Sequence, residues 1–172
     1  MSVPENGDAR GAGIETINEP EDGDAEAHEL FRLAVRTRHT PVREIMTPRT
    51  DMVGAPHSAS LDTIVRLSEE SGFSRFPVYR GNRDQVIGIL HVKDLLPLLG
   101  ADRWSKTTAE DLVRPPAYVP ETKPISELLR EFRDSQTHIG IVLDEYGGTS
   151  GLVTLEDMVE AVSYTHLTLP TN

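Results

Sequence analysis

The chain of 172 residues has no cysteine. That excludes disulfides, thiolate metal sites and a cysteine nucleophile. It has no apolar run near the roughly 18–20 residues that span a bilayer. Its first residues lack the basic-then-apolar pattern of a secretory signal. The expectation is a soluble chain. Basic charge is short as well, with a formal net charge of −11. The deficit is local: residues 1–29 carry nine acidic side chains against Arg10 alone, a net of −8, which leaves −3 of the −11 for everything that follows. An acidic tail repels phosphate backbones and anionic lipid, which argues against nucleic acid as a partner.

Catalytic signatures are missing too. There is no G-x-x-x-x-G-K-[ST] loop, no G-x-G-x-x-G, no H-E-x-x-H and no Ser/His/Asp order with a nucleophile elbow. Six histidines are scattered without metal-ligand spacing. The acidic pairs Glu69-Glu70, Asp144-Glu145 and Glu156-Asp157 are sequence neighbours, and neighbours diverge on a helix or turn. The chain does not read as an enzyme, and no metal site is expected.

What is present is a repeat. Val86-Ile-Gly88-Ile-Leu-His91-Val-Lys-Asp94-Leu-Leu96 returns 63 residues later as Thr149-Ser-Gly151-Leu-Val-Thr154-Leu-Glu-Asp157-Met-Val159. Two copies are too few for an open solenoid. Each is near 60 residues, marginal alone, so a shared core is expected. The reading is a closed pair around a pseudo-twofold axis with a cleft between the copies.

Along the chain, residues 1–24 read as a disordered acidic tail, and 25–40 as a short amphipathic helix (25–38) and linker. Residues 41–99 form the first copy. One helical turn (VREIM) ends at Thr47-Pro48, and a short strand covers Met52–Ala55. Ser60 caps a helix Leu61–Ser71 that Gly72 ends. Strands Phe76–Tyr79 and Val86–Val92 flank a turn, and a closing helix Lys93–Leu99 is kinked or ended around Pro97. After a linker at 100–107, residues 108–162 repeat the order, with Arg114-Pro115 matching Thr47-Pro48. There the helix is Ile125–Phe132, the strands are Ala117–Val119, His138–Leu143 and Gly151–Leu155, and the closing helix is Glu156–Val162. The fold class is α/β (α+β), two β-α-β-β-α repeats packed as a pseudo-twofold pair. Residues 163–172 break the pattern. They are expected to be foreign to this gene, from a frameshift or sequencing read-through at a fragment end.

The sharpest local signal is the junction Gly151-Leu-Val-Thr154-Leu-Glu-Asp157. Two uses fit it. Thr154 and Asp157 can form a capping box worth about 1 kcal/mol. The same helix start can receive a phosphate, with Asp157 accepting ribose hydroxyls and Thr154 a sugar or phosphate oxygen. In the first copy His91 replaces the threonine and Asp94 is kept; His91 is a donor at a nucleotide edge or simply a helix-start residue. Arg49, Arg75 and Arg114 lie beside turns and strand ends that should border the cleft, where forked guanidinium donors suit phosphate and a solvated surface role is the alternative. His138 takes Arg75's equivalent position. Tyr118 is placed to stack on a base or to fill an interface.

The repeat and its junction together resemble a tandem pair of CBS domains, a Bateman module. Val42-Arg-Glu-Ile-Met-Thr-Pro-Arg-Thr-Asp-Met52, Ser74-Arg-Phe-Pro-Val-Tyr79, Gly88–Leu96 and the long stretch His138–Asp157 are similar to the HlyC/CorC (TlyC, CNNM-like) family, associated with magnesium and cobalt efflux. The resemblance spans about residues 40–162. It implies a regulatory module whose cleft takes an adenine nucleotide, AMP or ATP with Mg²⁺, and which pairs into a homodimer that signals to a membrane transporter domain or protein from the cytoplasmic side. It matches Thr154 and Asp157 to ribose and phosphate contacts, and Tyr118 and His138 to base and phosphate contacts. The first-copy positions are Thr47, Pro48, Arg75, His91 and Asp94. The competing reading is a ligand-free dimerisation or docking module for a transporter. Many members carry a membrane domain ahead of the pair and a small domain after it; here an acidic tail precedes the pair and the segment 163–172 follows it.

Overall fold

The computed structural model describes residues 39–167. The expected tail over 1–24, the amphipathic helix over 25–38 and the last five residues of 163–172 lie outside the described residues. The first series of elements runs from a 3-10 turn (Val42–Glu44) to β1 (Thr47–Pro48), a second turn (Arg49–Asp51), β2 (Ala55–Pro56), helix α1 (Leu61–Ser71), β3 (Arg75–Tyr79), β4 (Val86–His91) and a 3-10 segment, Val92–Leu98. The second series has 3-10 turns at Trp104–Lys106 and Ala109–Leu112, then β5 (Ala117–Pro120), α2 (Ile125–Ser135), β6 (Ile139–Leu143), β7 (Thr149–Thr154) and α3 (Leu155–Leu167). Two sheets result, β2-β3-β4 and β1-β7-β6-β5. In each, the helix joins a parallel pair (β2 with β3, β5 with β6) and an antiparallel hairpin follows. The mixed α/β, repeated architecture is the one expected.

Local chemistry explains the best-placed elements. The Ser60 side chain accepts from the Thr63 amide at 3.3 Å at the head of α1, and Gly72 ends it in the left-handed region at φ 74. Leu61 and Ile64 point into the core, with Val65 and Leu67 packed beside them. Helix α2 runs to Ser135, past the expected Phe132, because its stop is Gln136 at φ 53, a left-handed residue that no glycine advertises. That conformation costs a non-glycine residue roughly 1 kcal/mol. The expected closing helix of the first copy is instead a 3-10 segment. Pro97 sits inside it; proline lacks an amide donor and crowds the turn before it, so a regular α-helix does not propagate. The second closing helix has no proline and runs on to Leu167, past Val162. The first short strand is Ala55–Pro56 rather than Met52–Ala55, since Arg49–Asp51 coils into a 3-10 turn.

The lead segments change partners. Residues 41–48 belong to the first copy in sequence but pair with the second. Thr47 pairs with Leu152 and Pro48 with Gly151; Pro41 bridges to Pro124; Val42, fully buried, joins the core of the second repeat. The second lead segment returns the exchange. Arg114 bridges to Ile89 and Thr108 to Ser60, and fully buried Ala109 joins the first core. The repeated glycines sit at these crossings. A Cβ on Gly151 would lie 2.2 Å from the Thr47 carbonyl oxygen, and one on Gly88 2.7 Å from that of Arg114. Only a residue without a side chain lets the crossing strand approach so closely.

Three apolar clusters follow. One lies within the first repeat around Phe76, Leu61, Ile64 and Leu90. One lies within the second around Ile125, Leu128, Phe132 and Met158. The third draws on both, with Met52, Val86 and Ile89 from the first and Ile139, Ile141 and Leu152 from the second. The copies therefore close face to face on an apolar seam, as a marginal 60-residue unit requires.

Candidate functional site

The two strand-to-helix junctions are built differently. At the end of β7, the Thr154 amide donates to Asp157 Oδ2 at 3.0 Å, and the Asp157 amide donates to Thr154 Oγ1 at 3.1 Å. This is a reciprocal capping box at the start of α3. Both side chains are half-buried. His138 lies just before Ile139, the register partner of Thr154, and its carbonyl accepts the Leu155 amide at 2.9 Å. So Thr154, Asp157 and His138 share one end of the second sheet. Tyr118 is on β5, two strands from β7, 54% exposed and opposite Ile141. Thr47 is half-buried in β1, and Pro48 is exposed. Arg49 is held by an ion pair with Asp84.

At the end of β4, Asp94 makes no capping contact with His91. Its carboxylate instead takes both arms of Arg114, Nε to Oδ2 at 2.9 Å and Nη2 to Oδ1 at 2.6 Å. This bidentate pair joins the first repeat to the lead segment of the second. Arg75 stands opposite His91 in the β3–β4 register. The Arg75 Nε is buried and has no hydrogen-bond partner among the described residues. Arg75, His91, Asp94 and Arg114 therefore gather at one end of the first sheet. The spacing of His91 and Asp94 is visible in the sequence, but the Arg114–Asp94 pair is not, because it depends on the exchange of lead segments. The match of Arg114-Pro115 to Thr47-Pro48 was the available clue.

Burial, followed by the positive charges of Arg114 and Arg75, pushes the His91 imidazole below its ordinary value of 6.5; Asp94 opposes this and Lys93 adds to it. The folded chain then binds fewer protons at His91 than the unfolded chain. Stability from this group is fully present above pH 6.5 and is lost as pH falls through the folded value. Urea unfolding between pH 5 and 7.5 should show stability rising with pH in the window below 6.5. His91→Asn should flatten that part of the profile, and an unchanged slope in the variant would assign it to another group.

Away from the junctions, a hollow of about 440 Å³ is lined by Leu98, Arg103, Lys106, Thr107, Asp111 and Leu112. Among the described residues, no cluster of three or more His, Asp or Glu could hold a metal ion, and no helix is long and apolar enough to cross a membrane.

The chain matches the CBS domain family over residues 42–101 and again over 109–164. The chain is 38% identical over 139 residues to the magnesium and cobalt efflux protein CorC of Vibrio cholerae serotype O1, covering 81% of this chain and 47% of that one. It thus spans about half the length of the curated relatives it matches. Among solved structures it is similar to the CBS domain of a bacterial CNNM/CorC family Mg²⁺ transporter in complex with ATP, with a TM-score of 0.73 and 40% identity over 80% of this chain and 96% of that one. It is also similar to a CBS-domain pair with bound AMP from Klebsiella pneumoniae, with a TM-score of 0.62 and 32% identity over 72% of this chain and 98% of that one.

Proposed function

The chain belongs to the CBS-domain family, as a tandem pair of the CorC kind, and from that premise we propose that it is an adenine-nucleotide-sensing regulatory module of a magnesium and cobalt efflux protein. The observation that carries this reading is the half-buried Thr154–Asp157 junction, in a chain whose structural relatives hold ATP or AMP. A helix start offers free amides and positive dipole character to a phosphate. Asp157 would turn from its cap to ribose hydroxyls, Thr154 would meet a sugar or phosphate oxygen, and His138, at the same end of the sheet, would approach phosphate. Tyr118 would serve the base and Thr47 and Pro48 the facing wall. With ATP, Mg²⁺ would arrive on the polyphosphate as its counter-charge rather than in a protein cage.

Signalling would be a population shift. The ligand favours one packing of the two repeats, by no more than its difference in affinity for the two states. Two chains would pair and pass that state to a membrane transporter domain from its cytoplasmic side.

The reciprocal cap supports a second reading, in which the junction is structural and the module only dimerises and docks. Calorimetry with ATP–Mg²⁺ and with AMP separates the two. The sensor reading expects binding that falls roughly ten- to a hundredfold in Asp157→Ala, the scale of a lost charge-assisted hydrogen bond, while lost capping lowers stability by only about 1 kcal/mol. No heat and no melting shift at millimolar ligand would favour docking.

A further inference from the structure

The linker between the repeats borders a hollow that neither junction uses. It is lined by Leu98 from the 3-10 segment that closes the first repeat, by Arg103, Lys106 and Thr107 from the linker, and by Asp111 and Leu112 from the second lead segment. Its volume of about 440 Å³ falls within the roughly 300–1,000 Å³ of small-molecule pockets. Cations, acceptors and apolar groups all line it, and each has capacity to spare.

The cations come first. Arg103 heads the 3-10 turn Trp104–Lys106 at φ −74 and ψ −16. A 3-10 turn has about three residues per turn, so side chains three apart eclipse. Arg103 and Lys106 therefore stand on one face, where like charges repel. Both are exposed, and neither side chain has an ion-pair or hydrogen-bond partner among the described residues. A carboxylate held between them would relieve the repulsion and satisfy both donors.

The acceptors follow. The Thr107 hydroxyl donates to the Arg103 carbonyl at 2.7 Å, so its oxygen is left to accept. Asp111 Oδ2 accepts from the Thr108 amide at 2.8 Å and the Thr108 hydroxyl at 3.2 Å. Asp111 Oδ1 has no partner among the described residues. These two oxygens suit an ammonium group, which donates and cannot accept. Leu98 and Leu112, half-buried and packed on the first core, leave apolar surface for an aliphatic group.

We propose that this hollow binds a free α-amino acid with an aliphatic side chain, the small molecule that joins a carboxylate, an ammonium and an apolar group. The carboxylate lies between Arg103 and Lys106, the ammonium donates to Asp111 Oδ1 and Thr107 Oγ1, and the side chain rests on Leu98 and Leu112. The bound ligand ties the linker turn to the second lead segment, whose Ala109 is fully buried in the first core. It thereby holds the exchanged segment in place. The site does not depend on nucleotide binding at Thr154 and Asp157.

The test titrates the whole chain with L-leucine and follows the Trp104 indole N–H by NMR. Trp104 is the only tryptophan in the sequence, it lies in the turn between the two cations, and its Nε1 donates to Asp62 Oδ1 at 3.1 Å. Leucine should shift this resonance saturably and raise the melting temperature, as a ligand of the folded state does. 4-Methylpentanoate, which lacks the ammonium, and isopentylamine, which lacks the carboxylate, should bind about fivefold more weakly, the scale of one exposed charged contact. Glycine should bind about tenfold more weakly for want of an apolar group. Arg103→Gln and Lys106→Gln, at exposed positions, should each weaken leucine about fivefold. The proposal is overturned if millimolar leucine leaves the indole resonance unmoved, if any of the three analogues binds as tightly as leucine, or if the double variant Arg103→Gln/Lys106→Gln keeps the wild-type affinity. Asp157→Ala should leave the leucine response unchanged, so failure of the nucleotide site and failure of this one are read separately.

Discussion

Gly151→Ala is expected to destabilise the fold by about 3 kcal/mol or more, on the scale of severe overpacking. The added Cβ would lie 2.2 Å from the Thr47 carbonyl oxygen, 3.1 Å from its carbonyl carbon and 3.2 Å from Met46 Sδ. A side chain can rotate away from such a clash, but a backbone carbonyl cannot. Relief requires β1 to lift off β7, and Val42, fully buried in the second core, lies on the same lead segment. For a chain of this size the loss corresponds to a fall in melting temperature of about 10 °C. Gly88→Ala should act in the same direction and more weakly, since its nearest neighbours, the Arg114 carbonyl oxygen and Val113 Cβ, are both at 2.7 Å. Gly147→Ala is the control: nothing lies within 4 Å, and only its positive φ of 80 is strained. Thermal melts of the three variants measure the series. A Gly151→Ala melt within a degree or two of wild type would mean that the crossing strand is not held where the structure places it.

These glycines show how the sequence can be legible in pattern and opaque in cause. Their recurrence marks the repeat, and from it the closed pair, the α/β class and the order of elements follow. What the recurrence does not reveal is the partner that demands the glycine, because that partner is a backbone oxygen of the other repeat's lead segment. Local signals read well where the physics is local: Ser60 and Gly72 bound α1 as expected. They fail where a competing effect wins. Gln136 ends α2 without a breaker residue, and Pro97 converts an expected helix into a 3-10 segment. At the candidate site, Thr154 and Asp157 were legible because a capping box is a spacing within one helix turn. The pairing of Asp94 with Arg114 was not, because it joins groups 20 residues apart through an exchange of segments. Identical spacing in the two copies concealed two different uses of the same carboxylate.

The second large effect is expected at the seam between the repeats. Ile141 is fully buried in the cluster that draws on both copies. Ile141→Ala should cost about 3 kcal/mol, within the range for truncating a buried aliphatic side chain where the surroundings cannot collapse. Its neighbour in β6, Val142, points the other way, into the core of the second repeat, as alternation along a strand requires. The two positions thus separate cohesion between the copies from cohesion within one. A double-mutant cycle of Ile141→Ala with Ile89→Val, whose side chain comes from the first repeat, should show a coupling of at least 0.5 kcal/mol, the level found for residues sharing one cavity. The cycle of Ile141→Ala with Leu128→Ala, in a different cluster, should be nearly additive. Denaturant unfolding should stay a single transition in every variant, because each lead segment buries a residue in the opposite core, Val42 in the second and Ala109 in the first. Neither repeat can then unfold while the other keeps its full core. Two resolved transitions, or an additive Ile141–Ile89 cycle, would show that the repeats fold as separate bodies. A module built that way could not convert a ligand bound at one junction into a change of packing across the pair.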